Sequence, residues 1–162
     1  MTEITVTVRD LVAFCHRSGH IDHRFTPSPT AEQGIEGHQR IYRRRPEGYI
    51  REYPVEYRYA CGDTELLVRG RADGYHAEAG LLEEIKTCRV AAAEIPESVS
   101  ALHLAQARVY AAIIAQQESR ASLDVRLTWL NIDSDEEHYL GGEHSASELC
   151  GFLALTLERF SS

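Results

Sequence analysis

The sequence predicts a mixed α/β domain in which a central four-stranded sheet is flanked by helices, in the order ααβββαβα. Three observations carry this. Four stretches show the period-two alternation of half-buried strands, four others show helical spacing with capping signals, and the strands do not alternate regularly with the helices. At 162 residues and 43% hydrophobic content, the chain can build one well-buried core and is too short for two ordinary domains. A single domain over residues 1–162 is expected.

The first helix is read from TVRDLVAFCHRSG, with Thr7 as N-cap, Asp10 three positions on, apolar Leu11, Val12 and Phe14, and Gly19 as terminator. A loop containing Pro27, Ser28, Pro29 and Thr30 separates it from AEQGIEGHQRIYRRR, a second helix that Pro46 stops and that its glycines weaken. Over residues 50–60, Tyr53, Val55, Tyr57 and Tyr59 alternate with Glu52, Glu56 and Arg58, the pattern of a strand. Residues 65–75 and 81–87 are two more strands, joined as a hairpin through HAEAG. Pro96 introduces a long helix over residues 97–117, with Ser98 or Ser100 as the candidate cap. SLDVRLTWLNI alternates Leu123, Val125, Leu127 and Trp129 as a fourth strand, and Ser145 with Glu148 makes a capping box for a last helix through Leu157. There is no internal repeat and no linker.

Composition narrows the function classes. A net charge of −8 opposes wholesale wrapping of nucleic acid, whose affinity comes largely from Lys and Arg replacing phosphate counterions. It does not oppose a nuclease, because metal-binding carboxylates are themselves negative. Cys15, Cys61, Cys88 and Cys150 form no C-x-x-C pair, which excludes a closed zinc ribbon and gives no disulfide framework. No apolar run approaches the roughly 20 residues of a membrane span, and MTEITVTVRD lacks the layout of a secretory signal. A cytoplasmic protein is expected.

The chemistry-bearing segments are VRGRADGY and LLEEIKT. Alternation puts Arg69, Arg71 and Asp73 on one face of their strand, and puts Glu84 and Lys86 on one face of the next, with Ile85 opposite. If the two strands pair, Asp73 and Glu84 meet near one end of the hairpin. Two carboxylates that close require a cation between them. Together with the Ile85 carbonyl they offer Mg²⁺ or Mn²⁺ the hard oxygen ligands it prefers, and Lys86 is a cation placed to orient an attacking water and stabilise phosphorane charge. On spacing alone, a solvated surface strand of alternating Glu and Lys is the commoner interpretation, and Asp73 on the preceding strand narrows the gap without closing it.

GRADGY followed by LLEEIKT resembles the D-x(n)-E-x-K signature of PD-(D/E)XK nucleases, with Asp73, Glu84 and Lys86 at the signature positions. Two further segments resemble the RecB-like branch: Gly34 and His38 match its G-x-x-x-H helix, and Gln106 and Tyr110 its Q-x-x-x-Y helix. The segments VRDLVAF, GIEGHQ, GRADG, EIKT and HLAQARVY together are similar to the N-terminal nuclease domain of bacterial DinG-like DNA helicases, from about Val8 to the last helix. The chain itself carries no G-x-x-x-x-G-K-[ST] phosphate loop. The resemblance implies a restriction-endonuclease-like core and a Mg²⁺- or Mn²⁺-dependent deoxyribonuclease acting on single-stranded or unwound DNA, with a helicase domain or subunit as partner. It implies Asp73 and Glu84 as direct metal ligands with the Ile85 carbonyl, and His38 as ligand or holder of water. Lys86 would serve the nucleophile, and Gln106 and Tyr110, four apart on one helical face, would touch DNA or brace the lysine.

Arg40, Arg43, Arg44 and Arg45 crowd the end of the second helix, where they complement its dipole and also offer a phosphate-gripping patch. Arg71 is expected to contact phosphate or to pair with Glu84. Cys15, His16, His20 and His23 match no zinc spacing. Only Cys150 lies beyond the core, which opposes the iron–sulfur cluster of some RecB-like relatives. The alternative from another class is a catalytically silent nuclease fold serving as a DNA-binding or helicase-docking module.

Overall fold

A computed structural model of the chain describes residues 2–16 and 29–162. The expected loop at Pro27 and Ser28, the terminator Gly19 and the histidines His20 and His23 lie outside the described residues. The elements run β1 (Thr2–Thr7), α1 (Val8–His16), α2 (Ala31–Arg44), β2 (Tyr49–Cys61), β3 (Thr64–His76), β4 (Leu81–Cys88), a 3₁₀ turn (Ala92–Glu94), α3 (Glu97–Gln117), β5 (Ser122–Asn131), β6 (Glu137–Ser145) and α4 (Ala146–Ser161).

The sheet therefore has six strands where four were expected. β1 alternates Ile4 and Val6 with threonines, but it is short and only Val6 is buried. β6 carries Gly141 and Gly142 and is an exposed edge, so little hydrophobic alternation marks it. Helix starts were more legible. The Thr7 hydroxyl accepts the Asp10 N–H at 3.1 Å, and Ser145 and Glu148 form the expected capping box. Thr30 and Gln33 form a further box at α2. Neither Ser98 nor Ser100 caps α3, which starts at Pro96 without a side-chain cap; the Ser100 hydroxyl instead accepts from the Trp129 indole at 3.0 Å.

Strand order is β1-β3-β4-β5-β6, with β2 on the other side of β3. β2 lies antiparallel along all of β3, from Tyr49↔His76 to Cys61↔Thr64, and so takes one edge of that strand. β1 and β4 share the other. β1 runs parallel to residues 64–69, and β4 antiparallel to residues 74–76. Residues 70–73 are left without a strand partner on that edge, which opens a slot in the sheet. From β4 the chain crosses through α3 to β5, which lies parallel to β4, and returns as β6.

α1, α3 and α4 form one layer over the sheet, and α2 packs on the opposite face against β4. The main core fills the space beneath α3, with Val68, Ala72, Tyr75, Leu82 and Val125 of the strands meeting Val109, Ile113 and Ile114. Under α2 the contact is small: Ile41 on Ile85 and Leu130. α3 is long and apolar enough by composition to cross a bilayer, but 72% of its most apolar window is buried inside the fold, so its apolarity is accounted for by the core.

Candidate active site

The slot between β1 and β4 is where the sequence-predicted residues converge. A methyl group at Gly70 would stand 2.9 Å from Cε1 of Tyr110 and 3.2 Å from Val8. The absence of a side chain there is what lets α3 and the start of α1 close on the middle of β3. Gly70 thus faces α3, and so does Tyr75, whose hydroxyl donates to Glu118 at 2.9 Å. Gly74, in contrast, lies under the Tyr49 ring on the other face. Facing positions change from even to odd between 70 and 75, opposite Glu52 of β2, whose φ is +52°. Strict alternation, which put Asp73 on the face of Arg69 and Arg71, breaks here. Asp73 turns edgewise towards β4, where its Oδ2 accepts the Ile85 N–H at 2.6 Å.

Glu84 is 4% exposed and lies within hydrogen-bonding reach of Asp73. Burial pushes the Glu84 carboxyl well above its ordinary range, and the Asp73 charge pushes it further, against the pull of Lys86 and Arg9. Tyr110 covers the pair. Its phenol is raised by burial and then by the charges of Glu84 and Asp73. Glu83, one residue earlier, points to the α2 face and meets a different fate. Burial opposes its ionisation, but hydrogen bonds from Arg45, Thr128 and Tyr49 hold its pKa below the ordinary value. Glu83 is a structural anion; Glu84 is an acid whose charge is left uncompensated.

α2 brings His38 to the slot from the opposite face. Gly34 and Gly37 line its contact with β4, where a methyl group at Gly37 would collide with Thr87 Cγ2. His38 Nε2 donates to the Ile85 carbonyl at 2.9 Å, since a carbonyl can only accept. Its Nδ1 lies 3.8 Å from Asp73 Oδ1. Tyr42, one helical turn on, donates to the Asp73 carbonyl at 2.9 Å. Gln106 is 4% exposed and lies 3.4 Å from His103 Nδ1, one turn before Tyr110 on α3.

The arginines separate into two groups. Arg40 pairs with Glu36 and Asp135, Arg44 with Asp135 and Glu137, and Arg45 with Glu83 and Glu137. These three bind α2 to the β5–β6 hairpin, and their charge is matched there. Arg71 is exposed and makes no ion pair among the described residues; the cations that act on Glu84 are Lys86 and Arg9. Arg9 was not anticipated. No local pattern marks it, because its place depends on α1 folding back against Gly70. Lys86 does carry a signal in the composition: it is the one lysine among 17 basic side chains. A chain that otherwise uses arginine throughout has there its one compact ammonium, a point charge with three donors.

Among the described residues, no group of three or more His, Cys, Asp and Glu side chains is arranged to enclose an ion. The donor set still fits a hard divalent cation, because it comprises two carboxylates and a backbone carbonyl. Asp73 and Glu84 lie side by side, with burial and the Asp73 charge both opposing ionisation of Glu84 in the absence of a cation, and the Ile85 carbonyl, already an acceptor from His38, directly follows Glu84 in sequence.

No family model and no curated protein matches the sequence. Among solved structures, the crystal structure of SSO0001 is similar over 95% of this chain and 75% of its own, with a TM-score of 0.58 at 18% identity, a likeness of fold.

Proposed function

We propose that this chain is a metal-dependent DNA nuclease of the PD-(D/E)XK type, RecB-like branch. It would act in the cytoplasm on single-stranded or unwound DNA, in repair or recombination, alongside a helicase domain or subunit. The observation that carries this is the Asp73–Glu84 pair beside Lys86 at a break in the sheet, with Glu84 buried and Asp73 half-buried. A fold has no structural use for two hydrogen-bonded carboxyls with no full counter-charge.

Asp73 and Glu84, with the Ile85 carbonyl, would hold Mg²⁺ or Mn²⁺. When bound, the ion supplies Lewis-acid polarisation of the phosphoryl group and neutralises its charge. Asp73 is held in orientation by the Ile85 N–H. His38 fixes the Ile85 carbonyl with its Nε2–H, leaving its Nδ1 lone pair on the side of Asp73. Lys86 donates from its ammonium to the attacking water or to a non-bridging phosphate oxygen. Tyr110 and Gln106 close the α3 side and exclude bulk water.

Incubation of purified protein with labelled single-stranded and duplex DNA and each ion tests this. Cleavage of single-stranded DNA is expected, reduced about 10²–10³-fold in Asp73→Ala and in Lys86→Ala. Cleavage that persists unchanged in both variants would overturn it. Calorimetry that finds no Mn²⁺ affinity would leave a silent docking module as the better account.

A further inference from the structure

We propose that the pocket at the turn between α2 and β2 binds a backbone phosphate of the substrate strand between the guanidinium groups of Arg43 and Arg51. This rests on the nuclease function proposed above and adds to it a binding point beside the scissile phosphate.

The pocket arises from the turn itself. Pro46 cannot continue α2, the Tyr49 N–H donates to the Pro46 carbonyl at 3.2 Å, and Gly48 takes a φ of +91° that side chains disfavour. The last turn of α2 and the first residues of β2 thereby become walls of one cavity of about 290 Å³, lined by Tyr42, Arg43, Arg45, Pro46, Tyr49 and Arg51. It adjoins the candidate active site on the α2 face of the sheet. Tyr42 belongs to both: its hydroxyl donates to the Asp73 carbonyl at 2.9 Å, and its ring stands edge-on to His38 with centroids 6.1 Å apart. Arg51 is paired across the sheet with Gly74, the residue after Asp73.

Three arginines line the cavity and no acid does. Arg45 is engaged by Glu83 and Glu137. Arg43 and Arg51 are both exposed, and neither makes an ion pair among the described residues. Arg51 is nonetheless oriented, with its guanidinium 5.5 Å from the centroid of the Tyr42 ring and an N–H donated to Gln39 Oε1 at 3.4 Å. Neither contact neutralises it, and a guanidinium over a ring keeps its other in-plane N–H groups for a phosphate. Glu52, whose charge acts on the Tyr42 phenol together with that of Asp73, stands outside the lining. The dipole of α2 accounts for a cation at Arg43 but not for Arg51, which comes from β2. Both phenol hydroxyls are already committed, to the Asp73 carbonyl and to Glu83. What the cavity offers a ligand is therefore two guanidinium groups beside two aromatic rings, the chemistry that holds the backbone of a single strand.

Fluorescence anisotropy of labelled single-stranded DNA in EDTA, over a range of salt, tests this without cleavage. Arg43→Gln and Arg51→Gln are each expected to weaken binding about ten-fold. The double variant is expected to reduce the slope of log affinity against log salt by about 0.7, the share of one single-strand phosphate. Arg159→Gln removes an exposed arginine from α4, in the helical layer on the other face of the sheet, and should leave affinity and slope unchanged. Oligonucleotides with and without terminal phosphates should suffer equal losses; a loss confined to those that carry them would assign the pocket to a strand end and overturn the backbone grip. A double variant that binds with affinity and slope preserved overturns the subsite alone. Arg43 and Arg51 need no metal, so absence of binding by the unaltered chain in EDTA also overturns the subsite. If cleavage with Mg²⁺ and Mn²⁺ is absent as well, the nuclease function falls with it.

Discussion

Glu83 and Glu84 are consecutive, and β4 sends them to opposite faces of the sheet, both almost wholly buried. Glu83 accepts from Arg45 at 2.9 and 2.7 Å and from Tyr49 at 2.7 Å, so its ionised form is the stable one. Glu84 has Asp73 for its neighbour and is stable only while protonated or bridged by a cation. Their amides should therefore differ in effect. Glu83→Gln leaves the Arg45 charge buried with Glu137 alone and is expected to lower the unfolding free energy by about 3 kcal/mol. Glu84→Gln removes an unfavourable buried acid, and stability at pH 7 should stay level or rise by about 1 kcal/mol. Urea unfolding of both variants checks this, and equal destabilisation would count against assigning Glu84 to the site. Glu84 and Lys86 were legible as a shared face because alternation on β4 is regular. Asp73 was legible as a residue but not as a direction: the pleat slips there, and that slip depends on α1 and α3 closing over Gly70. Arg9 was illegible for the same reason, since it reaches the slot only through the packing of α1.

At the scale of elements, α2 and β4 illustrate how weak helix formers can be the informative residues. Gly34 and Gly37 lower helix propensity, and at sequence level they weaken the second helix. In the fold Gly37 permits the close approach to Thr87 that lets His38 reach the Ile85 carbonyl. Gly37→Ala would gain about 1 kcal/mol of helix propensity and lose about 1–3 kcal/mol to overpacking against Thr87. A net loss of about 1 kcal/mol is expected, with a marked drop in DNA cleavage as His38 is displaced. Thr87→Ser removes the γ-methyl that a side chain at position 37 would strike. In that background Gly37→Ala should stabilise, and cleavage should recover. Thermal unfolding and cleavage of the two single variants and the double variant make the test, and strictly additive costs would show that the contact is not the cause. The strands hidden from sequence were β1 and β6, both at the sheet's margin; β2 is also an edge strand, but its alternating tyrosines marked it. β1 and β6 bury few side chains, so their residues need not alternate, whereas β3, β4 and β5 lie inside the sheet and could be recognised.

Over the whole molecule, the arrangement of charge separates scaffold from site. Arg40, Arg44 and Arg45, which a linear reading offers as a phosphate patch, are matched by Asp135, Glu137 and Glu83 and join α2 to the β5–β6 hairpin. The acid pair in the slot has no such match, and it links the stability of the entire fold to pH. Glu84 stays protonated in the folded chain at pH values where an unfolded carboxyl, with a pKa of about 4.3, is ionised. Folding therefore takes up a proton in that interval. The contribution of Glu84 to stability is full below about pH 4.3 and is lost as pH rises through its elevated folded value. A divalent ion has to displace the same proton, so its affinity should climb across the same interval. With Mn²⁺ at about 100 times its dissociation constant, binding adds about 2.7 kcal/mol, a rise in Tm of roughly 5–10 °C for a domain of this size. That rise should be small at acid pH, grow as pH climbs through the elevated Glu84 value, and vanish in Glu84→Gln. A Tm increment that ignores pH, or one that survives the glutamine, would place the ion elsewhere and leave Asp73 and Glu84 as a strained pair without a metal to justify them.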